Sequence, residues 1–376
     1  MTRISGPWRA VASVFFFNGA LFGIWAARIP AIAERFDLTP ASLGLLLLCL
    51  AVGAIVGFPL AGRTADLRGA RDATMLYGAV YLTAFLCLPL APSVWVLAPI
   101  LALFGMAHGG QDVAMNAWAA EVERHMARPV MSSFHAAFSL GAGIGAGSGF
   151  IAINWGASVA LHFWLGGLGI TAFVALFAFI PWNSVTGTAE HGPLFALPKG
   201  PLLMVGIVGL SSAIGEGAMV DWSALILTAA KGVDQAQAAL GYTVFSTLMV
   251  ATRLSGSIIV AKLGPALTTR ISAASAMVGG LLVLMAPSLP TALVGFAAFG
   301  IGYAMIIPLA FSRAANDPDV PAGRAIASVA TLTYGGILIG PPLIGFVAEA
   351  TSLNGSLWLL IALAGVTLSM AGALRR

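Results

Sequence analysis

Long apolar runs, separated by short clusters of Gly, Pro, Asp, Asn and basic residues, set the pattern of this chain from end to end. The runs reach the roughly 20 residues that a helix needs to cross the hydrocarbon of a bilayer. Twelve can be placed, at residues 8–30, 41–61, 73–91, 94–118, 130–153, 157–181, 201–228, 237–261, 268–287, 290–312, 323–348 and 353–373. They do not alternate with the period of two expected of a membrane β-barrel. The pattern therefore predicts an all-α membrane protein of twelve transmembrane helices. Before the second run, Asp37-Leu38-Thr39-Pro40 offers an N-cap and a proline at the first helical position. The first run follows Arg3 and Arg9 in the manner of a signal peptide, but it is too long for one and eleven spans follow, so it is expected to be retained.

Glycines reveal a second, longer period. Gly69 and Gly264 are 195 residues apart, as are Gly141 and Gly336, Gly145 and Gly340, and the pairs Phe104-Gly105 and Phe299-Gly300. Leu43-Gly44 recurs as Leu240-Gly241 at an offset of 197. The chain reads as one six-helix unit written twice, giving two pseudo-symmetric bundles at 1–181 and 201–376 joined by a polar linker at 182–200. Two copies that start on the same side are parallel repeats, an arrangement that in transporters places the solute site where the halves meet, near the midplane.

Basic residues orient the chain. With connections numbered alternately from a cytoplasmic N-terminus, one side receives Arg3, Arg9, Arg63, Arg68, Arg71, Arg124, Arg128, Lys199, Arg253, Lys262, Arg270, Arg313, Arg324, Arg375 and Arg376, and the other only Arg28, Arg35 and Lys231. The positive-inside rule then puts both termini in the cytoplasm.

Composition changes the picture by exclusion. Of 376 residues, 59% are hydrophobic and 9% charged, with a mean hydropathy of +0.96, against about 45–50% and 25% in soluble domains. That excludes a soluble enzyme, a nucleic-acid partner and a disordered chain. Cys49 and Cys87 lie inside apolar runs and read as small core residues. GxxxxGK[ST], GxSxG and HExxH signatures are absent, so neither ATP binding, nor catalysis, nor a metal or other cofactor is expected. A membrane receptor is disfavoured for want of a signalling domain. The expected partners are a small-molecule substrate, protons and the bilayer, with the chain acting as a monomer.

Particular motifs carry a family resemblance. Gly62-Arg63-Thr64-Ala65-Asp66-Leu67-Arg68-Gly69-Ala70-Arg71 resembles the loop motif of the major facilitator superfamily, with Leu67 in place of its usual basic residue. The second-half copy, 257–264, keeps the glycine but has Ala261 where Asp66 stands. Gln111-Asp112-Val113-Ala114-Met115-Asn116 and 134–141 resemble the fucose/proton symporter family, and Glu216-Gly217-Ala218-Met219-Val220-Asp221-Trp222-Ser223 resembles the YbjJ-like bacterial inner-membrane transporters. The resemblance implies the major facilitator fold and a solute-translocating protein, with Asp66 and Arg71 bracing the cytoplasmic side as gating residues.

Ionisable groups within apolar runs need a partner, a water-filled cavity or a task. His108, Asp112 and Asn116, at i, i+4 and i+8 with Gln111 beside them, form a polar stripe on one helix. It fits either a cavity face or a polar seam between helices. Glu216, bracketed by Gly215 and Gly217, is the leading candidate for proton coupling, with Asp112 as its rival, because desolvation favours a neutral carboxyl. The other reading of Glu216 is a structural hydrogen-bond network. Arg28 and Asp221 either latch one mouth of the cavity or serve locally, as a snorkelling arginine and a cap. His135 fits a solute or proton contact and a packing role equally. Asn18, Trp25 and Trp222 are candidates for sugar-type contacts, whereas Trp8, Trp95, Trp155 and Trp182 lie near span ends, as belt residues do. Glu349 also lies at a span end and is given no role. These residues imply a secondary transporter of small polar solutes working by alternating access. Proton-driven export of amphipathic compounds is the alternative.

Overall fold

The computed structural model describes residues 6–127, 130–186, 197–320 and 322–375. Arg3, Arg128, Arg376 and residues 187–196 of the expected linker lie outside the described residues. Among the described residues there is no strand. Eleven helices of the described residues are long and apolar enough to cross a membrane, one of them 51 residues long. That longest helix, Gln235–Met285, contains one non-helical residue, Gly264 (φ 72°, ψ 163°), followed by Pro265, and is here two spans. The twelve are α1 (Gly6–Arg35), α2 (Pro40–Arg68), α3 (Ala70–Cys87), α4 (Val94–Met126), α5 (Met131–Asn154), α6 (Val159–Ala178), α7 (Pro201–Leu225), α8 (235–263), α9 (265–285), α10 (Leu289–Tyr303, continued as Ile306–Ala315), α11 (Ala322–Ala350) and α12 (Leu353–Met370).

Two spans outrun the apolar pattern. α2 continues to Arg68 and α4 to Met126, because good helix formers (Ala65, Leu67 and Arg68; Ala119, Ala120 and Glu121) follow each apolar run without a breaker. The stretch 62–68 is therefore helix and not loop, and the whole connection to α3 is Gly69 (φ 88°, ψ 151°). Gly264 takes almost the same backbone conformation, which a residue with a Cβ rarely adopts. In each repeat the hydroxyl five residues on, Thr74 or Thr269, donates to the carbonyl of the residue after that glycine, at 2.7 and 2.9 Å. The 195-residue repeat is thus a repeat of local structure.

Contacts divide the chain into two compact units, Met1–Phe36 with Cys49–Glu190 and Asp37–Leu48 with His191–Arg376. In the first, α1 packs on α5 through glycines: Gly141 and Gly145 lie against the carbonyls of Phe16 and Ala20, leaving no room for a Cβ. In the second, α7 packs on α11, with Gly336 against Leu210 and Ala213 and Gly340 against Ile214. Lipid supplies no hydrophobic drive between helices, so close backbone approach and its dispersion contacts hold such seams together.

Candidate functional site

In the first unit the structure sorts the polar stripe of α4. Gln111 turns into the core, 1% exposed, where its Oε1 accepts from Asn18 Nδ2 of α1 at 2.9 Å. Tyr81 of α3 donates to the Asn18 carbonyl at 3.2 Å. Asn18 and Gln111 are therefore the polar clasp of α1, α3 and α4. His108, Asp112 and Asn116 are only half-buried. The His108 ring stacks on Phe22 (4.5 Å, 11°), and its Nδ1 has no hydrogen-bond partner. Asp112 Oδ1 accepts from Asn116 Nδ2 at 3.1 Å, one turn along. His135 is exposed and meets the edge of Phe15 at 5.4 Å. Trp25 and Trp222 are enclosed, at 0% and 1% exposure, each with an unpartnered indole N–H.

Arg28 is held within its own unit by neutral groups. Its Nε donates to His162 Nδ1 at 3.0 Å and its Nη2 to the Ala157 carbonyl at 2.8 Å. A guanidinium has only donors, so His162 Nδ1 is the acceptor and the proton sits on Nε2, which lies 2.9 Å from Ser148 Oγ. The Ser148 hydroxyl donates onward to the Gly145 carbonyl at 2.6 Å. The imidazole must be neutral for this chain to form. Asp221 is half-buried in α7 of the second unit.

The second unit assembles a charged site that the sequence shows only in part. Glu216 Oε1 of α7 accepts from Arg253 Nη2 of α8 at 3.2 Å. Arg253 Nε also reaches the Ala304 carbonyl of α10 at 3.4 Å. That carbonyl is available because its helical donor would be residue 308, which is Pro308. Tyr242 lies within electrostatic reach of Glu216, Arg253 and Asp221. Gly215 leaves its Cβ space to the Tyr303 ring. Around this turn of α7 the Ser211 and Ser212 hydroxyls, the Tyr303 hydroxyl and Glu216 Oε2 are all buried without a hydrogen-bond partner. Buried polar atoms are normally satisfied, and these four cluster around one turn of α7.

Arg253 corrects the charge map. It is no loop residue but stands ten positions before the end of α8, inside the apolar run 237–261, and that position was the signal that it needs a partner. His162 and Tyr303 were not singled out by the sequence either. Tyr303 stands 195 residues after His108, so the repeat could have found it.

The expected braces lie at the ends of α2 and α3. Asp66 is half-buried in the last turn of α2. The Arg71 guanidinium pairs with Asp72 at 2.6 Å, and its amide donates to Ser184 Oγ at 3.0 Å. Trp182 Nε1 and the Val185 amide donate to the two oxygens of Glu121 at 2.7 and 3.1 Å, so the chain after α6 is strapped to the first unit.

Twelve apolar helices in two repeats, with charged and polar side chains inside the spans, define a multi-pass membrane transporter. The family model of the Major Facilitator Superfamily matches residues 11–322, and the chain belongs to that superfamily. It is 45% identical over 355 residues to an uncharacterized transporter, y4wD, of Sinorhizobium fredii, covering 94% of each chain. It is 36% identical over 349 residues to an uncharacterized MFS-type transporter of Yersinia pestis, covering 90% of this chain and 88% of that one. Among solved structures, the nucleoside transporter NupG shares the fold with a TM-score of 0.74 at 15% identity, covering 99% of this chain and 98% of that one.

Proposed function

We propose that the protein is a proton-coupled transporter of small hydroxylated solutes, of the sugar or related-metabolite class, in a bacterial cytoplasmic membrane. Both termini are cytoplasmic and one chain is the working unit. The observation that carries this reading is the Glu216–Arg253 pair among unsatisfied hydroxyls. Removing one partner from a fully buried ion pair costs about 3–5 kcal/mol. At 25% and 17% side-chain exposure for Glu216 and Arg253 the cost here is smaller. Protonating Glu216 frees Arg253, and a solute oxygen that takes over the guanidinium restores the lost interaction. Proton and solute thus occupy the site together. Ser211, Ser212 and Tyr303 supply further donors and acceptors; within the first unit, the half-buried His108, Asp112 and Asn116 of α4 form a polar face of their own. Asp112 is the alternative proton carrier, already engaged by Asn116. Resemblance to the fucose/proton symporter and YbjJ-like families implies solute translocation without naming the solute.

The test is a thermal-shift screen of purified protein against sugars, polyols, organic acids and cationic dyes, followed by proteoliposome uptake of the best ligand. A polyol or sugar that accumulates only under an inward proton gradient supports the reading. Selective stabilisation by cationic dyes would instead support export of amphipathic compounds.

A further inference from the structure

The start of α2 is tied to the end of α11 by one carboxylate. Thr39 caps α2, with its Oγ1 accepting from the Ser42 amide at 3.3 Å and its carbonyl from the Leu43 amide at 2.9 Å. Pro40 has no N–H. The amide left over is that of Ala41, and its acceptor is Glu349 Oε2 at 3.2 Å, 308 residues along the chain. Glu349 stands in the last turn of α11, where the helix's own carbonyl end disfavours a negative charge, whereas the amide end of α2 favours one. The carboxylate is therefore better placed with α2 docked on α11 than with the two apart.

The surrounding seam is thin. A Cβ at Gly44 would lie 2.8 Å from the Pro341 carbonyl oxygen, and one at Gly345 would lie 2.5 Å from that of Pro40. Pro341 and Pro342, opposite Gly44, remove two amide donors from α11 and weaken its resistance to bending there. α2 is also the helix shared between the compact units, its residues up to Leu48 counting with the second and those from Cys49 with the first.

We propose that Glu349 is a latch of the transport cycle, holding the first turn of α2 on α11 by charge and released when that seam parts. The inference rests on the transporter family and on this contact, and not on any solute or coupling ion.

Alkylation of a seam cysteine tests it without a substrate. Ala348 is 5% exposed and, seven residues after Pro341, lies on the same face of α11. Ala348→Cys is placed in a background with Cys49→Ala and Cys87→Ala, and its reaction with N-ethylmaleimide is timed in membrane vesicles. Glu349→Gln should raise the rate about two- to five-fold, the range of a single charge–dipole contact. Glu349→Asp should restore much of the original rate, and the difference should shrink in about 1 M salt, where screening reaches about 3 Å. Gly345→Ala, which wedges the seam without touching the carboxylate, should raise the rate at every salt concentration. A Glu349→Gln rate equal to the parent's would overturn the proposal, whether or not Gly345→Ala opens the seam. So would an increase that neither salt nor aspartate alters, since that would mark a packing defect.

Discussion

Tyr303 of α10 and His108 of α4 occupy equivalent positions of the two repeats, 195 residues apart, and each keeps a buried polar atom, the hydroxyl or Nδ1, without a hydrogen-bond partner. Each also stands one turn beyond a repeated phenylalanine, Phe299 or Phe104. An unsatisfied buried group costs about 1–3 kcal/mol. Two of them at matched sites are a cost borne in both halves.

Tyr303→Phe removes that orphan and keeps the ring that fills the space left by Gly215. The variant should melt at the same temperature as the parent or a few degrees higher, while losing affinity for the transported solute. Thermal unfolding with and without ligand checks both halves of the statement. A clear fall in stability of the ligand-free variant would show that the hydroxyl has a structural partner.

Asn18 and Gln111 should behave in the opposite way. Their 2.9 Å contact is the clasp between α1 and α4, so Asn18→Ala leaves Gln111 unpaired in the core and should destabilise by about 1–3 kcal/mol. The two single alanine variants should be non-additive in a double-mutant cycle, with a coupling of about 0.5–3 kcal/mol. Additive effects would contradict a direct interaction.

The repeat makes a paired prediction about packing. A Cβ at Gly105 would run into the Leu50 carbonyl, and one at Gly300 into the Phe245 carbonyl, again 195 residues on. Gly105→Ala and Gly300→Ala should each cost about 1–3 kcal/mol through overpacking. Gly217→Ala has open space around it and should leave the melting temperature unchanged or slightly higher. Comparable melting curves for all three would refute the seam.

Acid should loosen the turn between α10 and α11. Burial pushes the Asp317 carboxyl up, but its hydrogen bond with Arg313, at 2.9 Å, and those from the Asp319 and Val320 amides outweigh this and hold it below the ordinary aspartate value. A carboxyl depressed in the folded state contributes stability that is present above the unfolded value, about 3.9, and lost as pH falls through the lower folded one. Protection of the Asp319 and Val320 amides, as exchange rates relative to the intrinsic rate at each pH, should fall in that acid window. In Asp317→Asn protection should be low at all pH values and without that step.

The spans were legible because apolar runs bounded by turn residues survive in any sequence that must cross a bilayer, and the helices lie close to where those runs fall. The helical extensions of α2 and α4 were not, since charged helix formers beyond the hydrocarbon look like loop. Within the site, the i, i+4 spacing revealed the α4 stripe but not which member turns inward. Gln111 went to the core because Asn18 waits there, a contact 93 residues away in sequence. Glu216 stood out as one of two acids, with Asp221, in an apolar run. Its partner Arg253 was counted with the loops, and Glu349 gained its meaning only from the Ala41 amide, 308 residues distant.

Glu216→Gln tests the coupling account most directly, because it keeps the shape of the side chain and removes the charge that Arg253 answers. Proteoliposomes carrying the parent or the variant are loaded for counterflow of the best ligand from the thermal screen, then assayed for net uptake under an imposed inward proton gradient. The predicted result is that the variant still exchanges solute in counterflow but no longer accumulates it when the gradient is applied. Gradient-driven accumulation by the variant at the parent's level would contradict the account and move the proton to another group, with Asp112 the first to examine.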